Sequence, residues 1–139
     1  MTTVIDLTAE LAKLTMLHGR TPQTTSADRV GSSAQLAPHR DGALFTSRFS
    51  GTGAWERHMQ GDELVHVLDG SATLEIVAGD GPPQSYSVRA GTVAIVPQGA
   101  WHRFLSSEGV TLMTATPRPT DHIRLDVDDP REVEPEMLC

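Results

Sequence analysis

Residues 55–70 read "WERHMQGDELVHVLDG" and set Glu56, His58, Asp62, Glu63, His66 and Asp69 among apolar residues. On either side of Gly61 the chain alternates with the period of two that belongs to a strand with one buried face. Such a face rarely carries imidazoles and carboxylates, because an unpaired buried charge is strongly destabilising. Period-two geometry puts Glu56 and His58 on one face, with Trp55 and Arg57 on the other. Glu63 opens the next strand and can pair back towards His58, and Asp62 caps the turn between them. His66 falls on the face opposite Glu63 and reads as structural.

The strand-like pattern extends outward in both directions. The runs are ALFTSRF (43–49), WERHM (55–59), ELVHVL (63–68), ATLEIV (72–77), SYSV (85–88), TVAIV (92–96), WHRFL (101–105) and VTLMTAT (110–116). The breaks between them, "GTG", "QGD", "DGS", "AGDGPP", "RAG", "PQGA" and "SEG", all carry glycine where a tight turn needs positive φ. Short strands at this spacing predict an all-β fold, a small antiparallel barrel or jelly roll closed to avoid free edges. Upstream, residues 6–17 place Leu7, Leu11 and Leu14 on one helical face, with Asp6 or Thr8 as cap. So short a helix must dock, on the body or on a partner subunit. Residues 18–41 read as an irregular or extended lead-in, and residues 122–127 as one more strand before a fraying tail. The expected division is 1–40 for helix and lead-in, 41–127 for the barrel and 128–139 for the tail.

A chain of 139 residues suits one domain with a real core. Its net charge of −7, from 11 basic and 18 acidic residues, argues against nucleic acid or an anionic membrane as partner. No apolar run approaches the roughly 18 residues of a membrane span. No basic stretch followed by an apolar run opens the chain, and the single cysteine, Cys139, leaves no internal disulfide. A cytoplasmic protein is the expectation.

The second informative stretch is "GTVAIVPQGAWHRF" (91–104), which delivers His102 just after a Pro-x-Gly turn. Two imidazoles and one or two carboxylates meeting inside a barrel suit a divalent first-row ion such as Fe, Mn, Ni or Zn. Here the sequence resembles the cupin superfamily, whose motifs run G(x)5HxH(x)3–4E(x)6G and G(x)5PxG(x)2H(x)3N. Gly91, Pro97, Gly99 and His102 fit the second motif in register, and Glu63 with Gly70 fits the back half of the first. His58 takes the place of the second histidine of the family pair. Glu56 stands where the first usually stands, Ser50 where the opening glycine would be, and Ser106 at the asparagine position.

The resemblance implies a single cupin β-barrel, often a homodimer, with a metal inside held by His58, Glu63 and His102. Glu56 joins them by position. It is open to three roles: a fourth ligand, an acceptor for a ligand's second nitrogen, or a catalytic base. Trp55 and Trp101 read as core anchors, and His18, His39 and His122 as surface groups. The function expected is that of a metal-dependent enzyme of the dioxygenase, isomerase or lyase kind, acting on a small oxygenated organic molecule. The alternative is a module that binds or senses a metal or small ligand without turnover.

Overall fold

The structure, a computed structural model, describes residues 1–133. Along the chain run helix α1 (Leu7–Ala12), then strands β1 (Leu17–Arg20), β2 (Ser33–His39), β3 (Gly42–Thr52), β4 (Trp55–His58), β5 (Glu63–Val77), β6 (Gln84–Arg89), β7 (Val93–Val96), β8 (Trp101–Pro117) and β9 (Thr120–Ile123). A 3-10 turn at Pro130–Glu132 follows. All nine strands belong to one sheet, in the order β1-β3-β8-β4-β9, with β2 on β3 and with β5 joining β8 to β6 and β7. Asp6 caps α1 by accepting a hydrogen bond from the Ala9 amide, as the sequence suggests. The helix ends at Ala12, so Leu14 lies beyond it, and it is Leu14 that is buried.

Three long strands carry the architecture, and two of them, β5 and β8, pass through a break that reads in the sequence as a turn. β3 runs through Ser50–Gly51, β5 through "DGS" and β8 through "SEG". The pairing of β3 with β8 shifts register between Phe49 and Gly51, and that of β5 with β8 shifts between Gly70 and Thr73. These are bulges, where the strand bends and goes on with stronger twist. Positive φ is present as expected, +106° at Gly51, +74° at Gly70 and +118° at Gly109, but it serves a corner and not a reversal. The three bends stack. A Cβ on Gly70 would run into the Gly109 carbonyl, and one on Gly51 into the Arg20 backbone. Ser106, at the position where an asparagine is usual, pins this corner: its hydroxyl donates to the Ser71 carbonyl (2.7 Å) and accepts from the Gly109 amide (3.0 Å).

The strands wrap around a core of Phe49, Val65, Val67, Leu74, Val96, Val110 and Leu112. The sheet does not close, which corrects the expectation of a closed barrel. The short strands β6 and β7 take up the outer edge of β5 and pair with nothing further, and β1, β2 and β9 end the opposite side. Part of the supposed lead-in is ordered sheet, since β1 runs parallel to β3 and β2 antiparallel to it. The last strand comes two residues earlier than predicted, at Thr120–Ile123. Val127 and Val133 pack with Trp55, Val77, Trp101 and Ile123 in a second cluster, and Trp55 donates its indole N–H to the Val127 carbonyl (2.8 Å). The predicted fraying therefore does not begin before Val133, and residues 134–139 lie outside the described residues. No helix among the described residues is long and apolar enough to cross a membrane.

The corner explains why glycine is required, and a control separates its two causes. Gly91 also has positive φ (+89°), but nothing lies near the place its Cβ would take. Gly91→Ala should therefore cost only the left-handed backbone strain, roughly 1–2 kcal/mol. Gly70→Ala adds a backbone collision and should cost roughly 2–5 kcal/mol. Urea unfolding of both variants measures the difference, and equal losses would show that the stacked corner is not required.

Candidate metal centre

Two interlocked turns bring the two sequence motifs together. The Gly99 amide donates to the His58 carbonyl (2.9 Å), the Gln98 amide to the Asp62 carboxylate (2.8 Å), and the Gln98 side chain to the Met59 carbonyl (2.8 Å). Asp62 thus caps the Pro-Gln-Gly turn across from it. Glu63 and His102 sit at or next to the first residues of β5 and β8, and His58 is the last residue of β4, so all three meet just inside these turns. Glu56 lies directly opposite His102 in the β4–β8 pairing. As strand parity predicts, Trp55 and Trp101 lie on the other face, beneath the guanidinium groups of Arg103 (4.6 Å) and Arg57 (4.5 Å) respectively.

His58 and His102 are 2% and 1% exposed, and their rings lie 5.2 Å apart. Each ring is held through Nδ1: His58 by the Thr120 hydroxyl at 3.0 Å, and His102 by the Ala100 carbonyl at 3.5 Å. A carbonyl only accepts, so His102 carries its proton on Nδ1 when neutral and turns the Nε2 lone pair inward. The Nε2 atoms of both rings are buried and have no aligned hydrogen-bond partner. Glu63, 4% exposed, approaches them with one carboxylate oxygen each, 3.2 Å from His58 and 3.0 Å from His102, yet out of line for an N–H···O bond. Buried polar atoms are nearly always satisfied, so two orphaned nitrogens facing one carboxylate need a further partner. Glu56, His58 and His102 each offer a ligand atom, and these lie within 4.8 Å of one another, a spacing that fits a metal ion. Second nitrogens held by an oxygen are also how ligand imidazoles are usually oriented.

The carboxylates are anionic. Burial raises the pKa of Glu63, but the adjoining imidazoles of His102 and His58 outweigh it and hold the group well below the usual carboxylate range. The Thr116 hydroxyl also donates to Glu63 (2.6 Å) and is itself hydrogen-bonded to Thr114 (2.7 Å). At Glu56 burial likewise opposes ionisation, yet the His122 imidazole, 3.3 Å away, and the nearby His102 bring its pKa to about 2. Burial lowers the pKa of His102, and Glu63 followed by Glu56 more than reverses this, so the net shift is upward.

His122 is not the surface group that its place outside the motifs suggests. It lies opposite Glu56 in the β4–β9 pairing, 22% exposed, with Nε2 3.3 Å from the Glu56 carboxylate. The sequence does hold a signal: set antiparallel, "ER" of β4 meets "DH" of β9 as two complementary pairs, and Arg57 bonds Asp121 at 2.8 Å beside Glu56 and His122. Thr116 and Thr120 offer no such signal. The centre opens into a cavity of about 410 Å³ whose wall includes Phe45, Phe49, Phe104 and Leu112, a volume that suits a small ligand.

Comparison with known proteins agrees with this geometry. The family model described as "Cupin domain" matches residues 44–115, just over half of the chain. No curated protein sequence matches. Among solved structures, a protein with a cupin-2 domain from Shewanella frigidimarina is similar at a TM-score of 0.59 and 22% identity, over 83% of this chain and 95% of that one. A protein from Neisseria meningitidis is similar at 0.59 and 20%, over 81% and 96%. A hydroquinone 1,2-dioxygenase solved with Cd2+ and 4-hydroxybenzonitrile is similar at 0.53 and 18%, over 61% of this chain and 63% of that one. At these identities the likeness is one of fold. From the matched model, the two motifs and the shared fold, the chain belongs to the cupin family.

Proposed function

We propose that the protein is a metal-dependent enzyme acting on a small oxygenated organic molecule, with His58, His102, Glu63 and Glu56 holding the ion. The observation that carries this reading is the pair of buried, unpartnered Nε2 atoms at Glu63. When bound, the ion supplies Lewis acidity and, if redox-active, electron transfer to an oxygen substrate. Metal-dependent oxidation is supported by the dioxygenase of the same fold solved with Cd2+. Thr116 holds Glu63 and Thr120 holds His58, so neither side chain is free to swing into the cavity. Glu56 is half-buried, 24% exposed, and faces the cavity with His122 behind it. It completes the ligand set and stands where it can also take a proton from a bound molecule.

Proton and metal compete for the same imidazoles, which fixes a pH dependence. In chelated protein His102, with its raised pKa, contributes stability that is full below its ordinary value of 6.5 and is lost as pH rises through the raised value. Glu56 contributes above its ordinary 4.5, and that contribution is lost only as pH falls towards about 2. Metal-free protein should therefore melt highest between these ordinary values. The gain on adding metal should grow from pH 6 to pH 8, reaching roughly 2.7 kcal/mol at a hundredfold excess over Kd. Melting curves with Zn2+ or Mn2+ against a chelator give the answer, and a gain that shrinks with rising pH would contradict ligation by imidazole.

Glu56 is tested by substitution. As a ligand, Glu56→Gln should weaken metal binding about 10-fold, on the scale of a perturbed metal site, and His102→Ala should weaken it more. Metal content by elemental analysis reads this directly. Full metal in both Glu56→Gln and Glu56→Ala would remove Glu56 from the ligand set. Oxygen uptake on a panel of diketones, flavonols and thiols, lost in Glu56→Gln at full metal content, would then assign it the role of base.

A further inference from the structure

Arg20 lines the same cavity as the metal centre but takes no part in it. It closes β1, and its backbone lies so close to Gly51 that any side chain there would collide with it. The guanidinium stacks over the Phe49 ring at 4.7 Å and ends beside Gly53, where a Cβ would stand 3.5 Å from Cζ and 3.7 Å from Nη2. Gly51 thus lets the backbone of Arg20 approach β3, and the guanidinium lies in ordinary van der Waals reach of Gly53.

The other arginines set deep in the sheet are all partnered. Arg57 pairs with Asp121, Arg103 with Glu75 and Asp126, and Arg48 bonds the Thr111 hydroxyl and the Leu14 carbonyl. Arg20 has no hydrogen bond or ion pair from its side chain among the described residues, and its Nε is buried and unpartnered. Burial lowers its pKa, and the charges of Arg29 and Arg124 add to that, bringing it to about 10, so it stays charged at neutral pH. Arg29 also lines the cavity. This is a local concentration of positive charge in a chain of net charge −7. Glu56 is the acidic group whose charge reaches Arg20, and its carboxylate is engaged by His122.

A guanidinium with a buried, unpartnered Nε and no carboxylate in contact is unfavourable unless a ligand supplies the partner. Its fork matches a carboxylate bidentately. We infer that Arg20 is the anion-binding residue of the cavity, and that the molecule bound there is a small carboxylate with an apolar body lying against Phe45, Phe49 and Phe104. The inference rests on reading the cavity as a small-molecule site and names the substrate class for it.

Benzoate and its neutral isostere benzamide are suitable probes, titrated calorimetrically into chelator-treated protein so that no metal contributes to the preference. Wild type should bind benzoate at least about 10-fold more tightly than benzamide, as a charge-assisted pair in a desolvated site allows. Arg20→Met should abolish the preference, and Arg20→Lys, which keeps the charge and loses the fork, should fall between. A merely structural arginine would lower the melting temperature and leave the benzoate-to-benzamide ratio unmoved. Equal binding of both probes by wild type, no binding of benzoate at about 10 mM, or an unchanged ratio in folded Arg20→Met or Arg20→Lys would each overturn the assignment. Failure to take up metal would sink the metal reading and leave this one standing, because the titration contains none.

Discussion

The centre depends on a carboxylate, Glu63, buried at 4% exposure between two imidazoles that are themselves shut off from water. Alone, such a charge is strongly unfavourable in the interior. It is tolerated because the hydroxyl of Thr116 and the edges of His58 and His102 surround it. Those neighbours are in turn fixed by the interlocked turns at Asp62–Glu63 and Pro97–Gly99. Everything that positions the site follows from keeping these strand ends together. The two unpartnered Nε2 atoms beside this carboxylate are groups that a bound cation would satisfy.

The second constraint is the corner. β3, β5 and β8 each bend at a glycine of positive φ, at Gly51, Gly70 and Gly109. Gly51 serves both constraints. It lets β3 turn and lets β1 approach, and so places Arg20 on the cavity wall. Ser106 bridges β5 and β8 there with one hydroxyl, which donates to Ser71 and accepts from Gly109.

Much of this is legible in the amino-acid sequence. The spacings from Glu63 to Gly70 and from Gly91 through Pro97 and Gly99 to His102 mark the fold, and strand parity places Glu56 beside His58. Local signals fail where one local cause has two structural outcomes. A glycine with positive φ closes a hairpin or bends a continuous strand, so "DGS" and "SEG" read as turns although β5 and β8 run through them. His122, Thr120 and Arg20 escape notice for another reason. Each reaches the site through a strand pairing, β9 on β4 or β1 on β3, that joins segments far apart in sequence. Edge closure misleads in the same way, because the pattern of a strand is the same whether or not it finds a second partner.

The cavity that results is polarised. At one end Glu56 and Glu63 stand among three imidazoles, an arrangement suited to a cation. Arg20 and Arg29, which line the same cavity, present charge that no carboxylate among the described residues neutralises by direct contact, although Glu56 acts on Arg20 through space. Phe45, Phe49 and Phe104 line it as well, with Phe49 beneath Arg20 and Phe104 edge-on to His102. If the cavity takes the carboxylate proposed above, its anionic end is drawn to Arg20 and repelled by Glu56. Placing the reactive end by recognising the other end is a general way to turn binding into rate. Gly51, by letting β1 lie close along β3, is what sets Arg20 on that wall.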